Sequence, residues 1–267
     1  MITLMYHAHA VGPVCRRVSE GSPRMQRHND REPLPPEVSL LIRWGSRALG
    51  EAPKVINTAE AVSLARNKQE SRRILGTLAP RTWFTREDIP PGLPCVIRPR
   101  YHHGGERFFV CRTPMEMLEA TRRCRRGWYA SELINKRSEY RIFILHGHVV
   151  CVSQRFPARI TDVAWNLNLG GRLLNVHKRD WPLEAIFASI AAMNCIGLDW
   201  GAVDVAQDVN DRVVVFEVNT APGLRNPYTM TQIARVFNWS ETHHIPIPIP
   251  REEITQWRHV IHPALRP

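Results

Sequence analysis

Two periodicities organise the hydrophobic positions of this chain. Alternation of apolar and polar residues over 140–155 (YRIFILHGHVVCVSQR) and 202–219 (AVDVAQDVNDRVVVFEVN) is broken each time by a short polar turn, and predicts two β-hairpins. A period near 3.6 over 183–195, with Ile186, Phe187, Ile190 and Met193 on one side and Gly197 beyond the end, predicts a helix. Asn57-Thr58-Ala59-Glu60 and Asn67-Lys68-Gln69-Glu70 each place Asn three residues before Glu. This capping pattern predicts helices over about 58–65 and 68–76, the second closed by Gly76 and Pro80. A further helix is expected over 113–125, with Met115, Leu118 and Ala120 or Thr121 as its apolar side. Short strands are expected at 1–6, 38–44, 81–84, 94–99, 107–112 and 128–134. The polar, Pro-rich stretch 19–37 reads as a loop. Alternating prolines in the tail from His243 favour an extended start, followed by a short helix. Hairpins mixed with segregated helices predict an α+β fold whose sheets are covered on one side.

Length and composition narrow the class. The 267 residues suit one large domain or two modest ones, and 43% hydrophobic with 23% charged residues is an ordinary globular balance. Lys and Arg total 36 against 25 Asp and Glu, a formal charge of +11, so an anionic partner is expected. The uncharged apolar stretch 185–198 is shorter than the ~18–20 residues a membrane span needs. The first residues lack the basic flank and long apolar run of a signal peptide. The six cysteines, at 15, 95, 111, 124, 151 and 195, form no close pair, which points to reduced thiols and a cytoplasmic protein without membrane partner. No internal repeat and no GxGxxG motif is present.

The second hairpin carries the densest chemistry. With Asn210-Asp211 as a two-residue turn, Val209 pairs with Arg212 and Asp204 faces Glu217 across the strands. Asn219 lies two residues beyond Glu217 and shares its face. Val203, Val205, Val214, Phe216 and Val218 form the opposite, core face. Facing carboxylates repel unless a cation joins them. Two carboxylates and an amide oxygen suit Mg²⁺, a hard cation that keeps water and phosphate oxygens as further ligands. An amphipathic hairpin with a solvated polar face is the alternative.

The residues that follow shift the weight towards chemistry. FEVNTAPGL (216–224) resembles the signature of the ATP-grasp ligases, and about residues 55–230 carry further motifs in that family's order. Lys68 resembles the helix-opening Lys that reaches ATP phosphates. VIRPRYHHGGERFFV resembles the strand and glycine loop covering the triphosphate, with Arg98 where the family usually has Lys, and Gly104 and Gly105 as the phosphate-approaching glycines. SELINKRSEYRIFIL resembles the hinge, with adenine held by backbone near Glu132, Leu133 and Ile134, ribose by Glu139, and phosphate or carboxylate by Arg141. RFPARITDVAWNLNLGGRL resembles the RimK-like loop, matching it at Arg155 and Asn166, while Ala164 stands where that loop often has Arg.

The resemblance implies an ATP-grasp fold of two α/β lobes holding ATP between two antiparallel sheets. It implies a pre-ATP-grasp segment at 1–56, an ATP-grasp domain at 57–240 (lobes about 79–133 and 134–240), and a tail at 241–267. It implies a D-alanine–D-alanine ligase-like or RimK-like carboxylate–amine ligase that forms an acyl phosphate and releases ADP. ATP and Mg²⁺ (or Mn²⁺) are the implied cofactors, with Asp204, Glu217 and Asn219 as metal ligands and Arg141, Arg155 and Asn166 at the reacting groups. The implied partners are an anionic carboxylate substrate and an amine acceptor, such as an acidic peptide. The basic run RRCRRGW (122–128), next to Tyr129, supports an alternative: a nucleic-acid or polyanion binding protein on a degenerate ATP-grasp scaffold.

Overall fold

The computed structural model describes residues 1–6, 12–102, 107–124, 127–165, 169–244, 246, 248 and 250–266. The N-terminal portion builds a parallel sheet in the order β2-β1-β3-β4, from β1 (Ile2–Tyr6), β2 (Met25–Asn29), β3 (Leu40–Trp44) and β4 (Lys54–Ile56). Helix α1 (Gly12–Ser19) connects β1 to β2. Both α1 and β2 differ from the expectation: β2 falls inside the stretch read as loop. Its MQRHN sequence has little strand character of its own, and the ladder to β1 makes it a strand.

Helices α2 (Ala59–Arg66) and α3 (Lys68–Leu75) follow, close to the expected spans. The cap of α2 is corrected by one residue. Thr58, not Asn57, accepts from the Ala61 N–H. Asn57 instead adopts a left-handed φ of 68°, which Asn tolerates, and is fully buried. Its Oδ1 accepts from the backbone of Asp199 and Trp200, tying the start of α2 to the central sheet.

A four-stranded antiparallel sheet follows, ordered β5-β8-β6-β7, from β5 (Thr82–Trp83), β6 (Cys95–Pro99), β7 (Phe109–Cys111) and β8 (Trp128–Glu132). Helix α4 (Pro114–Arg123) packs on β6 and β7. A complete capping box on Thr113 and Glu116 fixes its start. The larger antiparallel sheet is ordered β11-β10-β9-β12-β13. It comprises β9 (Lys136–Leu145), β10 (His148–Phe156), β11 (Arg172–Asn175), β12 (Trp200–Asp208) and β13 (Val213–Asn219). Its first hairpin turns where expected, at His146-Gly147, both with positive φ.

Helix α5 (Leu183–Ile196) packs against β9, β12 and β13 and buries Ile186, Ala192 and Met193 in the main core. The sequence reading leaves 220–242 unassigned, yet α6 (Pro227–Thr242) is the longest helix among the described residues. It buries Met230, Ile233, Ala234 and Phe237, which do fall at helical spacing, behind an Asn226 cap and Pro227. The tail carries α7 (Trp257–Val260) and a 3-10 turn at Pro263–Leu265, and docks on β10, where the His262 N–H donates to the Val149 carbonyl. No helix among the described residues is long and apolar enough to cross a membrane. All six cysteines are free thiols.

Candidate functional site

The β12–β13 hairpin reaches the expected register by an unexpected route. Its turn holds three residues, 209–211, closed by Asp208 N–H to the Arg212 carbonyl, with Asp211 at φ 66°. That moves the pairing by one relative to a two-residue turn. A bulge between Asp204 and Val205 moves it back, leaving Phe216 as the extra residue, so Asp204 does face Glu217. The core-face assignment of Val214 and Phe216 is corrected by the same bulge. Val215 enters the main core instead, while Val214 and Phe216 pack with Ile134 and Ala206.

This side of the sheet forms one wall of a cavity of about 450 Å³. The small antiparallel sheet supplies Val96, Arg98 and Ser131, and the β8–β9 link supplies Leu133 and Ile134. Helix α1 adds Val14 and Arg17 at one end, beside the 221–225 turn. Of the sequence-predicted residues, Arg98, Glu132, Leu133, Ile134, Glu139, Arg141, Arg155, Asp204, Glu217 and Asn219 line this one cavity. Lys68 does not. It opens α3 but is buried, and its Nζ meets Glu217 Oε1 at 2.8 Å and the Val218 carbonyl at 3.0 Å. Gly104, Gly105 and Asn166 lie outside the described residues.

A buried ion network crosses three strands of the central wall. Arg141 on β9 donates to both Asp204 oxygens, each at 2.8 Å. Arg155 on β10 donates to Asp204 Oδ1 and to Glu139 Oε1, both at 2.9 Å. Lys136 meets Glu139 Oε2 at 2.6 Å and lies over the Trp165 ring at 4.4 Å. Burial alone would raise the Asp204 carboxyl; Arg141 and Arg155 outweigh it and hold it below the usual carboxylate range. Burial likewise opposes ionisation of Glu217, and Lys68, with His102 and Arg98 nearby, drives its carboxyl well below that range. The expected repulsion between the two facing carboxylates is therefore corrected: each is neutralised by its own cations.

The opposite wall is different. Arg98 Nε and Arg72 Nη1 are buried and have no hydrogen-bond partner among the described residues. Arg72 packs over Tyr129 and donates its Nη2 to the Phe216 carbonyl. His102, held near neutral form by burial and the surrounding cations with its pKa pushed down to about 2, bonds the Tyr129 hydroxyl. Among the described lining residues, seven side chains are cationic and four anionic. Unanswered guanidinium N–H groups in a cationic cavity are suited to phosphate oxygens. At the hinge, the backbone of Ile134 has no hydrogen-bond partner among the described residues, and Phe216 adds an aromatic face. Both oxygens of Glu132 are turned to Arg212 and Arg81, and its N–H donates to the Arg81 carbonyl, so its carboxylate is engaged away from a nucleotide.

The sequence reading missed Arg72, Lys136, Trp165 and Arg17. Arg72 carried a signal: it is four residues from Lys68, on the same side of one helix. Trp165 and Arg17 gave none, because only the fold brings 165 and α1 to the cavity. The basic run sits apart from it: Arg123 pairs with Glu119 at 2.8 Å beside the Phe109 ring, and 125–126 lie outside the described residues.

No sequence-family model and no curated protein matches this chain. Solved structures do. The ATP-grasp ligase PsnB, complexed with a minimal precursor, superposes with a TM-score of 0.60 at 15% identity, over 86% of this chain and 98% of its own. The D-alanine–D-alanine ligase of Bacillus anthracis, complexed with ATP, gives 0.59 at 14% identity, over 83% of this chain and 86% of its own. The macrocyclase MdnC of Microcystis aeruginosa MRC, bound with its precursor peptide MdnA, gives 0.62 at 14% identity, over 90% of this chain and all of its own. With a small and a large antiparallel sheet enclosing one cationic cavity, and with these neighbours, the chain adopts the ATP-grasp fold.

Proposed function

We propose that this chain is an ATP-dependent carboxylate–amine ligase. The observation that carries the reading is a pair of arginines, Arg72 buried and Arg98 half-buried, each with a buried N–H group that nothing among the described residues answers, opposite Glu217 in a cavity of about 450 Å³. Such groups cost free energy until an anion meets them. The structural neighbours complexed with ATP, or with Mg and ADP, support a nucleotide as that anion. Adenine would meet the Ile134 backbone and the Phe216 ring, and the phosphates would meet Arg98 and Arg72.

A substrate carboxylate oxygen attacks the γ-phosphorus, the bond to the β-phosphate oxygen breaks, and ADP leaves with an acyl phosphate formed. An amine then attacks the acyl carbon and phosphate departs, giving an amide. The chain's own residues would hold two anions together and neutralise them, which is the main physical obstacle. Glu217 and Asn219, on one strand facing Asp204, offer oxygen donors that would hold a divalent cation. Bound there, that ion supplies charge neutralisation to phosphate oxygens. The acceptor proposed is a peptide or small amine, because several neighbours carry precursor peptides. A cytoplasmic location and segments 1–56, 57–242 and a tail from 243 belong to this reading, the tail boundary moving from 241 because α6 runs to Thr242.

An ADP-release screen of carboxylates paired with amines and peptides, with mass spectrometry of the products, tests this. The expected result is amine-dependent ADP and phosphate; AMP and pyrophosphate would overturn the mechanism. Substrate-independent nucleic-acid binding without nucleotide hydrolysis would favour the polyanion reading instead.

A further inference from the structure

Resting on the nucleotide reading above, the geometry points to a division of labour between the two facing carboxylates: Glu217 takes the divalent cation, and Asp204 is a positioning residue that holds Arg141 and Arg155.

A carboxylate offers about four acceptor positions. Those of Asp204 are all taken. Its Oδ1 accepts from Arg141 Nε at 2.8 Å and Arg155 Nη2 at 2.9 Å. Its Oδ2 accepts from Arg141 Nη2 at 2.8 Å and Asn219 Nδ2 at 3.2 Å. A cation reaching Asp204 must displace a charge-assisted donor, which is unfavourable, whereas one reaching Glu217 Oε2 displaces none among the described residues.

Glu217 is placed differently. Lys68 holds only its Oε1, and no hydrogen bond among the described residues reaches Oε2. Glu217 lines the cavity on the same strand as Asn219, whose amide oxygen likewise has no partner among the described residues. Lys68 is itself anchored on the Val218 carbonyl, so the Glu217 carboxylate is fixed in orientation with one oxygen open. The structure thus splits a symmetrical-looking pair into an open ligand and a saturated anchor. The anchor's work extends further, since Arg155 carries it on to Glu139.

Two readouts test this, and the first needs no nucleotide. Asp204→Asn turns an amide N–H₂ towards two guanidiniums, so apo thermal unfolding should fall by at least about 5 °C. An unchanged or higher melting temperature would overturn the anchoring role. The second is calorimetry of Mn²⁺ binding to the protein–ADP complex. Glu217→Gln should weaken it at least about tenfold, while Asp204→Asn stays within about threefold of wild type. Equal losses in both variants, or a larger loss in Asp204→Asn, would overturn the division. Should Asp204→Asn fail to fold, Arg141→Gln serves in its place. By opening two acceptor positions on Asp204 it should strengthen Mn²⁺ binding at least about threefold; unchanged or weaker binding overturns the inference. Wild-type protein that takes up no ADP with metal present would sink the nucleotide reading itself, and the metal half of this inference with it, whereas the apo melting result would stand.

Discussion

The two walls of the cavity handle charge in opposite ways. On the central sheet, Lys136, Glu139, Arg155, Asp204 and Arg141 answer one another in one buried network of ion pairs, in which each carboxylate has its cations although Arg155 Nε has no partner among the described residues. On the small-sheet side, half-buried Arg98 and buried Arg72 have no carboxylate partner among the described residues, and each keeps a buried N–H that nothing there answers. A network closed on itself fixes geometry, and its members are costly to remove singly. An unanswered buried donor instead stores a cost that a ligand can relieve. The difference teaches where this molecule keeps a frame and where it waits for an anion.

The largest expected effect breaks the frame. Arg155→Met leaves Glu139 and Asp204 each short of a cation, and should cost about 3–5 kcal/mol of stability, as read by denaturant unfolding. Stability equal to wild type would mean that the central wall is not held by this network.

Next in size is the opposite wall. Arg98→Met should weaken ADP binding about 10- to 100-fold by calorimetry, because a charge-assisted hydrogen bond is worth about 1.5–3 kcal/mol. Its unfolding midpoint should stay level or rise, since a buried unanswered group is removed. A variant that lost stability but bound ADP normally would erase the contrast between the walls.

Acid should separate the central wall from the docked tail. The Asp204 and Glu217 carboxyls are held below their ordinary range in the fold. The stability they contribute is full above their unfolded pKa values near ~4 and is lost as pH falls through the lower folded values. His262 adds a separate effect at the docked tail. It is fully buried, and burial, with His148 and other cations nearby, pushes its pKa down to about 3. The unfolded chain therefore binds a proton that the folded chain does not between pH ~6.5 and ~3, so stability falls across that window, by at most about 1.4 kcal/mol per pH unit. In His262→Gln the loss from pH 6 to 5 should shrink, leaving the carboxylate loss at lower pH. An unaltered profile would remove His262 from the account.

The smallest effect is salt. Raising ionic strength from 0.05 to 0.5 M, about a threefold shorter screening length, should weaken ADP binding several-fold while unfolding free energy changes little, because the central network is buried. Equal sensitivity of both would mean that the network is solvated.

Much of the frame was legible in order along the chain. Polar turns marked both hairpins, and helix caps marked α2 and α3, because those signals are local. The spans near 183–195 and 113–125 also emerged from periodicity. What failed was equally physical. Asn57 looked like a cap because Asn-x-x-Glu is a capping pattern, yet Thr58 one residue on serves as well, and the fold spends Asn57 on the β12 backbone. The register at Asp204 came out right through two compensating offsets, a longer turn and a bulge, neither readable from alternation alone. Strand β2 had no pattern to read, whereas α6 had one that went unused.

By itself the sequence determined which residues could carry the chemistry: an Asp, a Glu and an Asn on one hairpin face, and arginines spaced along neighbouring strands. Period and side-chain type are properties of the chain, and they survive any arrangement of the rest. Only the tertiary structure decided which charges meet. Arg141, Arg155 and Asp204 stand far apart in sequence and become one ion network because β9 lies between β10 and β12. Lys68 reaches Glu217 and the Val218 carbonyl because α3 runs alongside the end of β13, where Arg72 one turn on reaches the Phe216 carbonyl. Partner choice among charges depends on distance and burial, and both are set by strand order and helix packing, which no local pattern encodes.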